Sequence, residues 1–239
     1  MSHSSVGRTF VLSSGVKIPS VGLGVFLTKP GFECFNAVTS ALRLGYRHID
    51  TARLYRNEAD VGEALKQSGL PREDVFLTTK LWLDDFGYQN AQKAISQSMN
   101  ALSTSMVDLM LLHAPGDPQT REETWRALED AHYEGKLTSI GVSNFGVGHL
   151  KKLLKTARVK PAVNQIELTP FLQRRKLVDY CRSEGIALEA YSPLGKGSRE
   201  ILDNRTVTKI AQKHAVSNAQ LDSLDRNLVT AWDPTTDPV

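Results

Sequence analysis

Four side chains in the first half of this sequence could together deliver a proton to a carbonyl oxygen: Asp50, Tyr55, Lys80 and His113. A phenol alone exchanges protons poorly near neutrality, because its reference pKa is about 10. A neighbouring ammonium favours the phenolate and so makes the phenol a better donor. A buried lysine in turn needs a carboxylate, since an unpaired buried charge is costly. Asp50 can be that partner if the strands carrying it and Lys80 are adjacent. His113 could give a second hydrogen bond to the oxygen that gains charge. The sequence has no activated Ser or Cys and no Cys/His group at metal-ligand spacing. The electrons for such a reduction would therefore come from a cofactor, most simply as hydride from a nicotinamide.

Taken singly, each residue has a plainer role. Asp50 could cap a turn, Lys80 could point outward at a strand end, Tyr55 could be an exposed loop aromatic, and His113 a satisfied core histidine. His48 is read as structural. Their convergence depends on the elements that carry them. Short apolar runs at 21–25, 48–52, 75–82, 108–114, 139–145, 162–168 and 187–194 alternate with amphipathic stretches at 33–44, 58–67, 90–102, 122–134, 148–155 and 173–184. Gly135 and Gly185 stand where two of those helices stop. Strand, helix, strand with short links implies a parallel sheet. A doubly wound nucleotide-binding sheet would place GxGxxG after its first strand. Here Gly22 and Gly24 are followed by Leu27 at the third position, so a (β/α)8 barrel is favoured. Runs at 6–11 and 16–19 around Ser-Ser-Gly form a hairpin that would plug the barrel floor.

In a barrel of this kind the C-terminal strand ends form the active-site mouth. Asp50, Lys80, His113, Ser143, Asn144, Gln165, Glu167, Tyr191 and Ser192 all fall at or near such ends, with Tyr55 in the loop after strand two. The chain has 239 residues, slightly short for the fold. Its net charge of +3 would help attract an anionic cofactor but is too weak to be evidence for one, the basic run from Lys151 to Lys160 reads as a solvated helix face, and no nucleic-acid partner is expected. Cys34 and Cys181 are far apart, which gives no disulfide framework. No stretch resembles a signal peptide or a membrane span, so a cytoplasmic setting is expected.

The stretch GYRHIDTARLYRNEADVG (45–62) resembles the first signature of the aldo-keto reductases. TTKLW (78–82), LLHAP (111–115), IGVSNF (140–145), VNQIEL (163–168) and AYSPLGKG (190–197) follow in that family's order. The resemblance implies an NADPH-dependent reductase of aldehydes or ketones, with Asp50, Tyr55, Lys80 and His113 as the catalytic tetrad and Tyr55 as general acid. It also implies that Ser143, Asn144 and Gln165 hold the nicotinamide carboxamide and that Tyr191 stacks on the ring. Ser192, Leu194 and the loop beyond approach the pyrophosphate, and Phe26 and Trp82 line the substrate pocket. No metal is implied.

Two departures qualify this. Ala114 stands where many members carry Trp, which widens the pocket. After Ala219-Gln220 the family continues with most of a helix, an eighth strand ending in Lys-Ser, and a basic loop and helix that grip the 2′-phosphate. Here LDSLDRN follows at once. The chain is therefore read as a single barrel domain over 1–239, incomplete after about residue 220 and lacking strand eight. Lys196 and Arg199 could replace part of the lost phosphate grip. The tail, with Pro234 and Pro238, is poor strand material, so open edges and self-association are expected. Two other readings stand beside the reductase: a Schiff-base aldolase using Lys80, and a non-catalytic barrel that has lost firm cofactor binding.

Overall fold

The computed structural model describes residues 8–221 and 228–230. It opens with an antiparallel hairpin of β1 (Thr9–Val11) and β2 (Lys17–Pro19). Strands and helices then alternate: β3 (Leu23–Gly24), α1 (Phe32–Arg43), β4 (His48–Asp50), α2 (Glu58–Gln67), β5 (Phe76–Leu81), α3 (Tyr88–Ala101), β6 (Val107–Leu112), α4 (Pro118–Tyr133), β7 (Leu137–Ser143), α5 (Val147–Leu153), β8 (Val163–Glu167), α6 (Arg175–Glu184) and β9 (Ala187–Tyr191). The short α7 (Arg199–Leu202), α8 (Arg205–Lys213), α9 (Asn218–Leu221) and β10 (Leu228–Thr230) complete the described elements.

Local chemistry sets the boundaries. Asp117 caps α4 by accepting from the backbone N–H of Gln119 at 3.0 Å and of Thr120 at 3.3 Å, and Pro118 follows at the first helical position. Asn204 caps α8 in the same manner. Gly185 ends α6 in the left-handed region at φ 70°, where a side chain would be strained.

Strands β3 to β10 form one parallel sheet in chain order. Alternate residues of each strand face opposite sides, and the two sides have different partners. Leu77, Leu81, Met110, Leu112, Ile140, Val142 and Leu188 pack with the helix layer in one cluster. Phe76, Leu109, Leu111, Val163 and Ala187 meet Leu12 and Ile18 of the hairpin segment in a second cluster. The hairpin thus plugs the barrel floor, as the sequence implies. Gly141 sits between them for a steric reason: a Cβ there would lie 2.6 Å from the Val163 carbonyl oxygen and 2.8 Å from Leu111. Deeper toward the mouth the inward residues turn polar, and these build the site.

The expectation that the tail supplies no strand requires correction. Leu228–Thr230 runs parallel to β9, with Leu228 opposite Leu188 and Thr230 opposite Ala190. The prolines and all of the acidic residues of the tail lie outside this Leu-Val-Thr stretch. The unpaired backbone of β9 offers that stretch partners. Among the described residues the barrel is nearly closed. The sheet ends at β10 on one side and β3 on the other, with no ladder between them among the described residues.

Candidate active site

β4 and β5 are hydrogen-bonded neighbours, with Asp50 opposite Thr78. Lys80 lies two residues further along the same face, toward the mouth. Its ammonium pairs with Asp50, both side chains being fully buried. It also donates to the Thr51 carbonyl at 3.1 Å and to the Tyr55 hydroxyl at 3.3 Å. Tyr55 reaches it from a 3-10 turn, Arg53–Tyr55, immediately after β4. The buried Asn57 supports that loop: it accepts from the Thr51 hydroxyl at 2.7 Å and donates to the Val25 carbonyl at 3.0 Å.

His113 follows β6, its backbone N–H bonded to the Leu81 carbonyl at 3.0 Å. Its ring meets Tyr55 edge-on at 5.6 Å and Trp82 at 5.0 Å between centroids. Burial, and then the nearby Lys80 charge, hold its pKa well below the ordinary histidine value. The imidazole is therefore neutral at pH 7 and keeps one N–H to donate. Phe26 packs on Tyr55 at 4.9 Å. Phe26 and Trp82 are half-buried, as residues lining an accessible mouth must be. All four tetrad candidates and both pocket candidates are thus brought together.

The cofactor candidates occupy the opposite arc of the barrel. The Ser143 hydroxyl donates to the Gln165 carbonyl at 2.9 Å. Asn144 donates to the His113 carbonyl at 3.0 Å and accepts from the Tyr191 hydroxyl at 2.8 Å. Asn144 and Ser192 both hold left-handed backbone, φ 62° and 47°, a conformation retained where the surroundings dictate it. Leu194 heads the tight turn Gly195–Gly197, which holds Lys196 at its centre. The Gln165 amide nitrogen donates to Asp50 at 2.8 Å and to Glu189 at 2.7 Å, which ties the two arcs together. Its oxygen is buried without a partner. A buried acceptor in that condition suits an incoming amide donor such as a nicotinamide carboxamide, so the residues present fit the cofactor.

Sequence reasoning missed Glu189. The signal was available: it lies two residues before Tyr191 in β9, hence on the same inward face. Glu167, noted as a strand-end residue, is half-buried at the end of β8. A cavity of about 500 Å³ lined by Leu168, Ala190, Pro193, Leu194, Ile201 and Val207 lies on the helix side of β9. It shares Leu194 with the cofactor candidates and no residue with the tetrad, Phe26 or Trp82. No group of His, Cys, Asp or Glu among the described residues could hold a metal ion, and no described helix is long and apolar enough to cross a membrane.

The model of the aldo/keto reductase family matches residues 29–234. Glyoxal reductase of Bacillus subtilis is 46% identical over 218 residues, which are 91% of this chain and 78% of that protein. The 9,11-endoperoxide prostaglandin H2 reductase of Trypanosoma cruzi is 44% identical over 93% of this chain and 76% of its own length. Among solved structures, an aldo/keto reductase from Brucella melitensis superposes with a TM-score of 0.89 at 42% identity, covering 96% of this chain and 89% of its own. An aldo-keto reductase in complex with NADPH gives 0.86 at 31% identity, covering 96% and 79%. The chain belongs to the aldo/keto reductase family. It is by family an oxidoreductase that reduces the carbonyl of a small molecule with NADPH, and these relatives do not favour the non-catalytic reading.

Proposed function

We propose that Tyr55 is the general acid of this reductase and that Asp50, Lys80 and His113 tune and assist it. One observation carries the reading: the buried Lys80 ammonium lies within hydrogen-bond reach of both the Asp50 carboxylate and the Tyr55 hydroxyl. The ammonium stabilises the phenolate left when Tyr55 gives up its proton. Asp50 compensates the buried ammonium and fixes its direction. His113, neutral, donates a hydrogen bond toward the oxygen that becomes an alkoxide. NADPH, when bound, supplies the hydride. Ser143, Asn144 and Gln165 would hold its carboxamide, Tyr191 would face its ring, and Ser192 and Leu194 with the loop beyond would meet its pyrophosphate. Phe26 and Trp82 wall the substrate mouth, with the small Ala114 leaving room for substrates of varied shape. The Schiff-base reading is weaker, because Lys80 is already engaged as a donor to three oxygen atoms.

We further propose that the chain is one barrel domain, incomplete after about residue 220, and that it self-associates through the outer strands β3 and β10. The test of the acid is Tyr55→Phe, which removes one hydroxyl and little packing. Reduction of an aromatic aldehyde should fall by about 10²–10⁴-fold, with NADPH affinity nearly unchanged by fluorescence titration. A variant that turns over at close to the parent rate removes Tyr55 from the role.

A further inference from the structure

We propose that Glu189 is a positioning residue for the nicotinamide end of the cofactor. Together with Asp50 it takes both amide hydrogens of Gln165, and so leaves the Gln165 oxygen as that side chain's one unengaged polar atom. The inference rests on the reading above that Gln165 meets the carboxamide.

The geometry fixes the amide without ambiguity. Two carboxyl oxygens, from β4 and β9, lie 2.8 and 2.7 Å from the Gln165 nitrogen. A carboxamide turned the other way would face both with its own oxygen, acceptor against acceptors. Asp50 alone would leave one amide hydrogen unsatisfied in a fully buried place, and the side chain could rotate to find another partner. Glu189 removes that freedom. Its own second oxygen, Oε2, is buried without a partner, which is where a proton can reside.

The charges around Glu189 agree with a protonated carboxyl near neutrality. Among the described residues, Asp50 acts on it from β4, with His48 on the same strand face, and Lys80 from β5, with Tyr55 beyond and His113 at the end of β6; β7 contributes Ser143, β8 contributes Gln165 opposite it and Glu167 one step nearer the mouth, and β10 sets Val229 opposite it. Both histidines are held neutral by burial. Lys80 and Asp50 cancel each other, so an ionised Glu189 would leave a net negative charge inside the barrel. Burial, and next the Asp50 charge, push its pKa up to about 8. Above that pH the added charge should favour the oxidised cofactor, whose ring is cationic, over the neutral reduced one.

The experiment compares the full chain with Glu189→Gln, Glu189→Leu and Gln165→Met by titration with NADPH and NADP+ between pH 6 and 9. In the parent, NADP+ should tighten relative to NADPH as pH rises through Glu189; taking the ratio cancels the phosphates, which the two forms share. Glu189→Gln keeps an acceptor but cannot titrate. It should bind NADPH within about twofold of the parent at pH 6 and lose the pH dependence of the ratio. Glu189→Leu should bind NADPH about tenfold more weakly, equivalent to ~1.4 kcal/mol. If Glu189→Leu does not fold, Glu189→Gln decides alone. A flat ratio in the parent, the parent's pH dependence surviving in Glu189→Gln, or unchanged NADPH affinity in a folded Glu189→Leu would each overturn the proposal. Gln165→Met separates the two readings. If it leaves NADPH affinity unchanged, the contact between Gln165 and the carboxamide itself is wrong. If it weakens binding while the Glu189 variants do not, only the role of Glu189 fails.

Discussion

Replacing Lys80 by Met would probe the buried pair at the centre of the site. The methionine keeps most of the stem and deletes the charge. Three oxygen atoms lose a donor: Asp50, the Thr51 carbonyl at 3.1 Å and the Tyr55 hydroxyl at 3.3 Å. Both partners of the ion pair are fully buried, so solvent does not screen it. Removing one member of such a pair costs about 3–5 kcal/mol, mostly because the remaining charge is stranded. Here the stranded group is Asp50, left with one hydrogen bond from Gln165 and facing Glu189 across the same amide. The full cost should appear at pH 8, and part of it should be relieved at pH 5, where a carboxylate can take up a proton. Asp50→Asn with Lys80→Met removes both charges and should recover about 2 kcal/mol or more relative to Lys80→Met alone. Urea denaturation of the parent, both single variants and the double at the two pH values measures these terms. Carbonyl reduction by Lys80→Met should fall by about 10²–10⁴-fold, the range of general acid catalysis. Stability of Lys80→Met within ~1 kcal/mol of the parent at pH 8, well short of that cost, would refute the buried pair. A double variant no better than the single would assign the cost to packing instead of charge.

Cofactor discrimination should be poor: side-by-side titration is expected to give NADPH and NADH affinities within about tenfold, since few charge-assisted contacts remain for the 2′-phosphate. A strong NADPH preference would point to another basic cluster, with Lys196 and Arg199 the first to substitute. Self-association through β3 and β10, which end the sheet among the described residues, should appear as dimers or larger species in sedimentation velocity, and a monodisperse monomer at all concentrations would contradict this. Glu189 should make stability fall as pH rises. Unfolded, it releases its proton near the ordinary glutamate value of 4.5, whereas folded it keeps it to about 8. Between those values the native state binds the extra proton, so each pH unit removes up to ~1.4 kcal/mol. Glu189→Gln should lose that slope in urea midpoints taken at pH 5 and 8, and equal slopes in parent and variant would argue against a buried, titrating carboxyl.

Much of the site could be read from the sequence because the strand period is two and the mouth of a barrel is always at the same end. Asp50 and Lys80 could be matched once their strands were taken as neighbours, and the structure pairs those strands. Glu189 is not legible as a strand-end residue, because it lies one inward step deeper, below Tyr191. The partners of Gln165 and Asn144 were not legible either. Each is held by groups from other strands, and no local pattern encodes a contact between residues 50 and 165. The tail strand was missed for a different reason. Three residues are too few for a periodic signal, and β9 supplies the order that Leu228–Thr230 cannot specify alone.

The order of the strands also bears on how the chain folds. Every ladder in the large sheet joins strands that are successive in the chain. In a closed barrel of this order one further ladder must unite the last strand with the first, and it spans nearly the whole sequence. Contacts of that span carry the greatest loop-closure cost and slow folding most. The ladders among the described residues of this sheet have no such span, and each described strand can dock on the one before it in the order of the chain.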